Sequence, residues 1–250
     1  MIVNKLITKI INDIKKSSGQ QTKLSRDSII IMFFRWLSFY VTPIFVIFNL
    51  SANIVTTLGL ISGLVAAILI SIKYLFLGYV FFFIAVLLDH VDGNLARYKG
   101  ESTFYGRFLD GFYGIVITSA MQISLAIFAA QNSGYGALQW TGVLAAVLTP
   151  MHHLFYDRYS TYVRWIKEEG HVIQTKPYIR SNMSWSFYIS DNIQNVLVFF
   201  WPLFYYFAYY WELCLFVYFI LNIYLAINTL FKHTIAAKLH FNVSAKDHRS

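Results

Sequence analysis

Long apolar segments, each nearly free of charged residues, restrict this chain to a membrane fold. A helix that crosses a bilayer needs about 20 mostly apolar residues, and the candidate segments are residues 54–72, 74–88, 108–130, 138–154, 196–210 and 213–230. Only 13% of the residues are charged, whereas about 25% is typical of a soluble domain. The sequence therefore predicts an all-α, polytopic integral membrane protein with about six transmembrane helices in a bundle.

The segment before the first predicted span is apolar but interrupted. Residues 28–50 contain Arg35 and Pro43 among aromatic side chains, which favours an interfacial helix, with a seventh spanning or re-entrant element as the alternative. Residues 1–26 are predicted to form a polar amphipathic or flexible tail. The predicted organisation is an N-terminal cytoplasmic tail with an interfacial helix, a six-helix transmembrane domain and a cytoplasmic C-terminal tail, over residues 1–50, 51–235 and 236–250.

The basic residues predict the orientation of the chain in the membrane. The net charge is +8, and of the 20 Lys and Arg residues all but Lys73 fall near the two ends, in residues 89–107 or in residues 156–192. Basic loops that alternate with uncharged ones follow the positive-inside rule. We therefore predict that both ends and these two segments face the cytoplasm. The same distribution argues for membrane lipids and against nucleic acid as partners.

Three carboxylates at the ends of predicted spans form the candidate site. Asp89 and Asp92 follow the second apolar segment and share a helical face if that helix continues, and Asp110 begins the third span. Carboxylates at membrane depth are costly and usually pair, bind ions or do chemistry. Three together would repel one another unless a divalent cation offsets them, and oxygen ligands favour Mg²⁺ or Mn²⁺. Such a cation usually serves a phosphate or diphosphate.

The alternative interpretation of these carboxylates is a set of ordinary interfacial ion pairs. Arg97, Lys99 and Arg107 lie close by in the sequence and could pair with them. The small residues Gly93 and Ala96 between the carboxylates favour a binding site, because they leave room for a ligand larger than a metal ion. His90 is predicted to point to a different face of the helix from the neighbouring aspartates.

The spacing of these residues resembles the signature of the CDP-alcohol phosphotransferase (CDP-alcohol phosphatidyltransferase) family. The pattern Asp-x2-Asp-Gly-x2-Ala-Arg-x8-Gly-x3-Asp is matched by Asp89, Asp92, Gly93, Ala96, Arg97, Gly106 and Asp110. Upstream, residues 52–59 resemble the Pro-Asn-x-x-Thr start of the family's first span, with Ala52 in place of Pro and with Asn53 and Thr56 retained. The resemblance covers about residues 34–119.

The resemblance implies a six-helix bundle that transfers a phosphoalcohol group from a CDP-linked donor to an acceptor hydroxyl and releases CMP. It implies a metal site of Mg²⁺ or Mn²⁺ held by Asp89, Asp92 and Asp110. It implies a nucleotide site formed by Asn53, Thr56, Asp92, Gly93, Ala96, Arg97 and Gly106. The donor would be CDP-diacylglycerol or another CDP-alcohol, the acceptor an alcohol, and the assembly a homodimer in a bacterial inner membrane with its active site on the cytoplasmic side.

One position departs from the family pattern. The family has a fourth Asp four residues after the third, as a ligand of a second metal and as the general base, whereas this chain has Gly114. A glycine side chain can neither coordinate a metal nor accept a proton. Possible substitutes for the base lie at the cytoplasmic ends of later spans, namely His152, His153 and Asp191. Together with Asp89 and Asp110 of the motif, they are the catalytic candidates.

Two other functions are compatible with these features. A catalytically silent relative that binds nucleotide or lipid would explain Gly114, although the intact carboxylates and Arg97 argue against it. A membrane polyprenyltransferase also places aspartates on membrane helices around Mg²⁺-diphosphate, but with Asp-x3-Asp spacing. The Asp-x2-Asp-Gly-x2-Ala-Arg pattern here favours the transfer from a CDP-alcohol.

Overall fold

The computed structural model describes residues 2–18, 29–168, 185–207 and 210–241. Within these residues the chain forms eight α-helices and no strand. The helices are α1 (Ile2–Ser18), α2 (Ile29–Ile47), α3 (Ala52–Ser71), α4 (Leu75–Lys99), α5 (Phe104–Asn132), α6 (Gly136–Glu168), α7 (Trp185–Phe207) and α8 (Trp211–Phe241). The predicted all-α class is confirmed.

Five helices of the described part are long and apolar enough to cross a membrane, namely α2, α3, α4, α5 and α8. Helix α7 adds a shorter apolar stretch, Ile193–Phe207, and the polytopic membrane class is confirmed. Helix α6 contains the span predicted at residues 138–154 but does not reach the same apolar content. Pro150, two histidines and several hydroxyl-bearing residues dilute its apolar side chains.

The N-terminal part contributes two helices that contact the bundle. Helix α1 is amphipathic, with Ile10 and Ile14 buried, and it contacts α2 and α4. Residues 1–26 are predicted to form an amphipathic or a flexible tail, and residues 2–18 form an amphipathic helix. Helix α2 satisfies the length and composition of a membrane span, while its predicted placement at the membrane interface stays a prediction.

The turn between α4 and α5 brings the two halves of the acidic motif together. Helix α4 continues past residue 88, the predicted end of the second span, so the first two carboxylates of the motif lie on one helix. Gly100 ends α4 with a φ of 68°, a left-handed conformation that glycine adopts without steric strain. Thr103 then caps α5 by accepting a hydrogen bond from the backbone N–H of Gly106 at 3.0 Å.

Close packing of α3 against α4 and α5 positions the site. Gly63 on α3 allows this approach, because a Cβ there would lie 2.7 Å from the side chain of Ile117 on α5. Helix α6 packs against α5 and α8, and α7 packs against α8. At the other end of the bundle, Trp201 packs on Phe128 with ring centroids 5.4 Å apart and donates a hydrogen bond to the carbonyl of Trp211 at 3.2 Å. This aromatic cluster lies away from the acidic motif, whereas Phe34 on α2 packs on His90 within the motif, with ring centroids 6.3 Å apart.

Candidate active site

A pocket of about 340 Å³ lies at the end of the bundle that carries the acidic motif. Its walls come from the first turns of α3, the last turns of α4, the turn after α4 and the first turns of α5. The lining residues are Ala52, Asn53, Thr56, Asp92, Gly93, Ala96, Arg97, Glu101, Ser102, Thr103, Gly106 and Asp110.

The structure brings the predicted nucleotide-binding residues together. All of them line the pocket: Asn53, Thr56, Asp92, Gly93, Ala96, Arg97 and Gly106. Asp110 lines it as well, whereas Asp89 is not among the lining residues. Two sequence patterns that are far apart along the chain therefore form one cavity, and the individual roles of these residues stay predictions.

Asp92 is the most buried carboxylate of the motif. It is 5% exposed and its neighbour Thr56 is 8% exposed. The Thr56 Oγ1 atom lies 2.6 Å from Asp92 Oδ2 and 3.0 Å from the carbonyl oxygen of Ala52, and its single proton can serve one of them at a time. The backbone of Gly93 also forms a hydrogen bond with Asp92, but an ionised carboxylate that is buried with neutral partners is costly. This position therefore favours a cation or a proton at Asp92.

Asp89 and Asp110, on α4 and α5, form a close carboxyl pair. Their side chains come within hydrogen-bonding reach of each other. Two ionised carboxylates at this separation repel each other, so the pair favours a shared proton or a shared cation. His90 Nδ1 lies 3.4 Å from Asp89 Oδ2, so the imidazole contacts Asp89 although adjacent positions of a helix differ by about 100° in direction. The different helical face assigned to His90 stays a prediction.

The ligand types around the pocket fit a hard divalent cation. Asp89, Asp92 and Asp110 offer carboxylate oxygens, which Mg²⁺ and Mn²⁺ prefer, and Asp92 is close enough to the other two for their charges to interact. Within the residues that the structure describes, no three His, Cys, Asp or Glu side chains lie close enough together to hold a metal ion by themselves. Further ligands would have to complete the coordination.

The guanidinium of Arg97 lies directly over Gly93. A Cβ at residue 93 would be 3.4 Å from both terminal nitrogens of Arg97, so this side chain uses part of the space that the sequence predicts for a nucleotide. Arg97 Nη2 also donates a hydrogen bond to Asn94 Oδ1 at 2.9 Å. Planar guanidinium groups suit bidentate contacts to phosphate oxygens, and Arg97 lines the pocket.

Gly106 brings the start of α5 against the start of α3. A Cβ at this position would lie 3.3 Å from Thr103 Oγ1 and 3.4 Å from Asn53 Oδ1. A larger residue would therefore displace the threonine that caps α5 and the asparagine that lines the opposite wall. The glycine keeps this wall of the pocket narrow.

The sequence model of a known protein family matches most of this chain. The sequence model of the CDP-alcohol phosphatidyltransferases matches residues 49–224, which is more than two thirds of the chain. The chain belongs to the CDP-alcohol phosphatidyltransferase family. The match runs from just before α3 into α8, so it extends well beyond residue 119, where the resemblance in sequence pattern ends. No curated protein matches the chain.

Gly114 stands where the resemblance in sequence predicts a fourth aspartate. It lies on α5, one turn beyond Asp110, and it is half-buried. No atom of the described residues would lie within 4 Å of a Cβ at residue 114. These residues therefore leave room for a side chain at this position.

Of the three predicted substitutes for the missing base, the structure describes the side chain of His153 alone. His153 lies on α6 and is not among the lining residues. His152 and Asp191 lie on α6 and α7, but their side chains fall outside the described part. Their proposed role stays a prediction.

Sequence reasoning assigned no role to four lining residues, namely Ala52 next to Asn53 and three residues after α4. Glu101, Ser102 and Thr103 form the turn between α4 and α5 and reach the pocket. The signal that could have found them is their place in the eight-residue gap of the motif, between Arg97 and Gly106. A short turn whose two ends both lie at the pocket must itself pass along the pocket.

Proposed function

We propose that this CDP-alcohol phosphatidyltransferase transfers a phosphoalcohol group, such as a phosphatidyl group, from a CDP-alcohol to the hydroxyl of an acceptor alcohol. The observation that carries this proposal is one pocket in which carboxylates and the guanidinium of the acidic motif meet Asn53 and Thr56 of the upstream pattern. Opposite charges in one partly buried cavity suit a ligand that combines phosphates with a metal cation. The product belongs to lipid or glycoconjugate biosynthesis.

The reaction is a displacement at phosphorus. The acceptor oxygen forms a bond to the phosphorus that carries the donated alcohol, and the bond between this phosphorus and the oxygen that bridges to CMP breaks. CMP leaves with the electron pair, and the proton of the acceptor hydroxyl passes to a base. Because such transfers need positioning and charge stabilisation more than covalent help, a pocket of fixed charged groups is suited to them.

The walls of the pocket suggest how the chain binds the donor. We assign Arg97 to the nucleotide phosphates, since its guanidinium is planar and lines the cavity. Asn53 and Thr56 form the wall on α3, and Ala96 and Gly106 keep the walls on α4 and α5 free of bulk. These residues exclude water and orient the nucleotide.

We assign a divalent cation, Mg²⁺ or Mn²⁺, to Asp89, Asp92 and Asp110. When bound there, it would neutralise charge on the phosphate oxygens. Mg²⁺ is commonly held by one or two carboxylates together with the phosphates of a substrate. This explains why the carboxylates of the described residues need not form a complete metal site by themselves.

We propose that a carboxylate or a histidine accepts the proton of the acceptor hydroxyl. Asp110 lines the pocket, Asp89 lies within hydrogen-bonding reach of it, and both are catalytic candidates. His152, His153 and Asp191 are the candidates from later helices. A histidine is competent because its proton equilibrium lies near neutral pH.

We place the pocket on the cytoplasmic side of a bacterial inner membrane, with residues 51–235 as the catalytic domain. The basic residues near the pocket and near both ends support this orientation. The donor would be CDP-diacylglycerol or another CDP-alcohol, and the acceptor an alcohol. The proposed assembly is a homodimer, which the family resemblance suggests.

A second candidate function is a silent relative that binds nucleotide without turnover. The open space at Gly114 favours it, because no carboxylate occupies the place of the fourth aspartate. The third candidate, a polyprenyltransferase, receives no support from the family match.

The decisive experiment incubates the purified protein with CDP-diacylglycerol and other CDP-alcohols, mixed acceptor alcohols and Mg²⁺ or Mn²⁺. Release of CMP that requires the cation and an acceptor supports the transferase. Tight binding of CDP compounds without CMP release supports the silent relative. If the protein neither binds a CDP compound nor releases CMP, both the transferase and the silent relative are wrong.

A further inference from the structure

A chain of hydrogen bonds connects α2 to the pocket. Asn94 Nδ2 on α4 donates to Ser38 Oγ on α2 at 2.7 Å, and Arg97 Nη2 donates to Asn94 Oδ1 at 2.9 Å. Arg97 lines the pocket, whereas Ser38 and Asn94 lie behind it. Helix α2 precedes residues 49–224, which the family match covers, so the family motif does not account for this connection.

Ser38 and Asn94, the two residues of this hydrogen-bond series that lie behind the pocket, are buried and hydrogen-bonded. Ser38 is 0% exposed and Asn94 is 1% exposed. The Ser38 hydroxyl donates its proton to the carbonyl of Arg35 at 2.7 Å, which leaves its oxygen lone pairs to accept from Asn94. Arg97 can only donate, so it requires the carbonyl oxygen of Asn94. In both contacts of Asn94 a donor therefore meets an acceptor, and the Asn94 amide has one favourable orientation.

The hydrogen bond between Asn94 and Arg97 opposes a repulsion between Arg97 and Arg35. Arg35, also on α2, lies near enough to Arg97 for their like charges to interact. The bond to Asn94 opposes this repulsion and helps to hold the guanidinium of Arg97 in its place over Gly93. Buried polar groups are costly in an apolar interior unless they are paired, so a serine and an asparagine at these positions need a reason beyond helix packing.

We infer that Ser38 and Asn94 are positioning residues that hold the guanidinium of Arg97 in the orientation that binds a nucleotide phosphate. This inference rests on the proposed function, because it needs a phosphate-bearing ligand in the pocket. A guanidinium that is oriented before binding loses less conformational entropy when it binds. Helix α2 is then a functional part of the donor site.

The test measures the affinity of CMP in the presence of Mg²⁺ for the full chain and for Ser38→Ala and Asn94→Ala. Loss of one buried hydrogen bond should weaken CMP binding roughly 3- to 10-fold for Ser38→Ala, and about tenfold or more for Asn94→Ala, which removes the bond to a charged group. Ser62→Ala is the matched control, because Ser62 is buried and makes one interhelical bond from its Oγ to the carbonyl of Phe81 at 2.8 Å. It should leave CMP affinity unchanged while lowering stability to a similar degree.

A second arm distinguishes positioning from general loosening of the bundle. In an Arg97→Lys background, which keeps a cation but not the planar group, Ser38→Ala should cause no further loss of CMP affinity. The inference is overturned if Ser38→Ala binds CMP as the unmodified chain does, if Ser62→Ala loses as much as Ser38→Ala, or if the Ser38→Ala loss persists in full with Lys at residue 97. If the unmodified chain fails to bind CMP, the proposed function fails first and this inference with it. Should Asn94→Ala not fold, Ser38→Ala decides alone.

Discussion

The Thr56 hydroxyl on α3 lies 2.6 Å from the Asp92 carboxylate on α4, and this contact joins the two sequence patterns of the family. Both side chains are buried. Thr56 belongs to the pattern that begins the first span of the family match, and Asp92 to the acidic motif. The contact fixes the register of α3 against α4 at the wall of the pocket, so the arrangement of the carboxylates depends on a residue that is not itself charged.

Replacing Thr56 by the isosteric valine removes the donor to Asp92 without changing the packing volume. Because a hydrogen bond to a charged group contributes about 1.5–3 kcal/mol, we expect Mg²⁺-dependent CMP affinity to fall at least about tenfold. Thr57→Val is the matched control, since Thr57 is exposed and bonds the carbonyl of Asn53 at 2.9 Å. Equal CMP affinities for the two variants would contradict a role of the Thr56–Asp92 contact.

Adding a side chain at Gly93 should disturb Arg97 before it blocks the nucleotide. An alanine Cβ would lie 3.4 Å from both terminal nitrogens of Arg97, so Gly93→Ala should shift the guanidinium by a few tenths of an ångström and weaken CMP binding several-fold. Gly93→Leu should abolish it. Gly134→Ala is the control, because a Cβ at residue 134 has no atom within 4 Å. Full CMP affinity in Gly93→Leu would place the nucleotide elsewhere.

Gly114→Asp should restore the fourth carboxylate of the motif. The side chain has room, and general-base assistance typically contributes about 10²- to 10⁴-fold, so CMP release should rise and a second cation should bind more tightly. Gly111→Asp adds the same charge on the same helix, also without a clash, but it lies directly after Asp110 rather than one full turn beyond it, and it should give no gain. If an active protein gains nothing from Gly114→Asp, a substitute base is present, and Ala in place of His152, His153 or Asp191 should then stop the reaction.

The membrane orientation can be tested by cysteine labelling. In a Cys214→Ser background, which removes the only cysteine, a cysteine at residue 134 should react with an impermeant reagent added outside. A cysteine at residue 170, in the predicted cytoplasmic loop, should be protected until the membrane is opened. The reverse pattern of labelling would move the pocket to the other side of the membrane.

The sequence predicts the parts of this structure that depend on local pattern. Apolar segments of sufficient length require helices, and the motif residues meet because Arg97 and Gly106 are separated only by the short turn after α4. Glu101 was not predicted as a lining residue, because a single glutamate in a turn carries no signal of a binding site. The contact of Ser38 with Asn94, 56 residues apart, depends on how α2 packs on α4, which no short-range periodicity encodes. Helix α6 extends beyond its predicted end at residue 154 for a related reason, since in its polar continuation Tyr159 is buried and packs on His233 of α8.

The most direct test of the account measures the affinity of purified protein for CMP with and without Mg²⁺ or Mn²⁺, in the unmodified chain and in Asp89→Asn and Asp110→Asn. Each substitution removes a charge from a repulsive pair, so both variants should stay folded. Asp13→Asn, at an exposed position on α1, is the control. We predict that CMP binds the unmodified chain and the control only with the cation, and that both pocket variants lose this cation-dependent binding. Cation-dependent CMP affinity that is unchanged in both variants would contradict the assignment of the pocket.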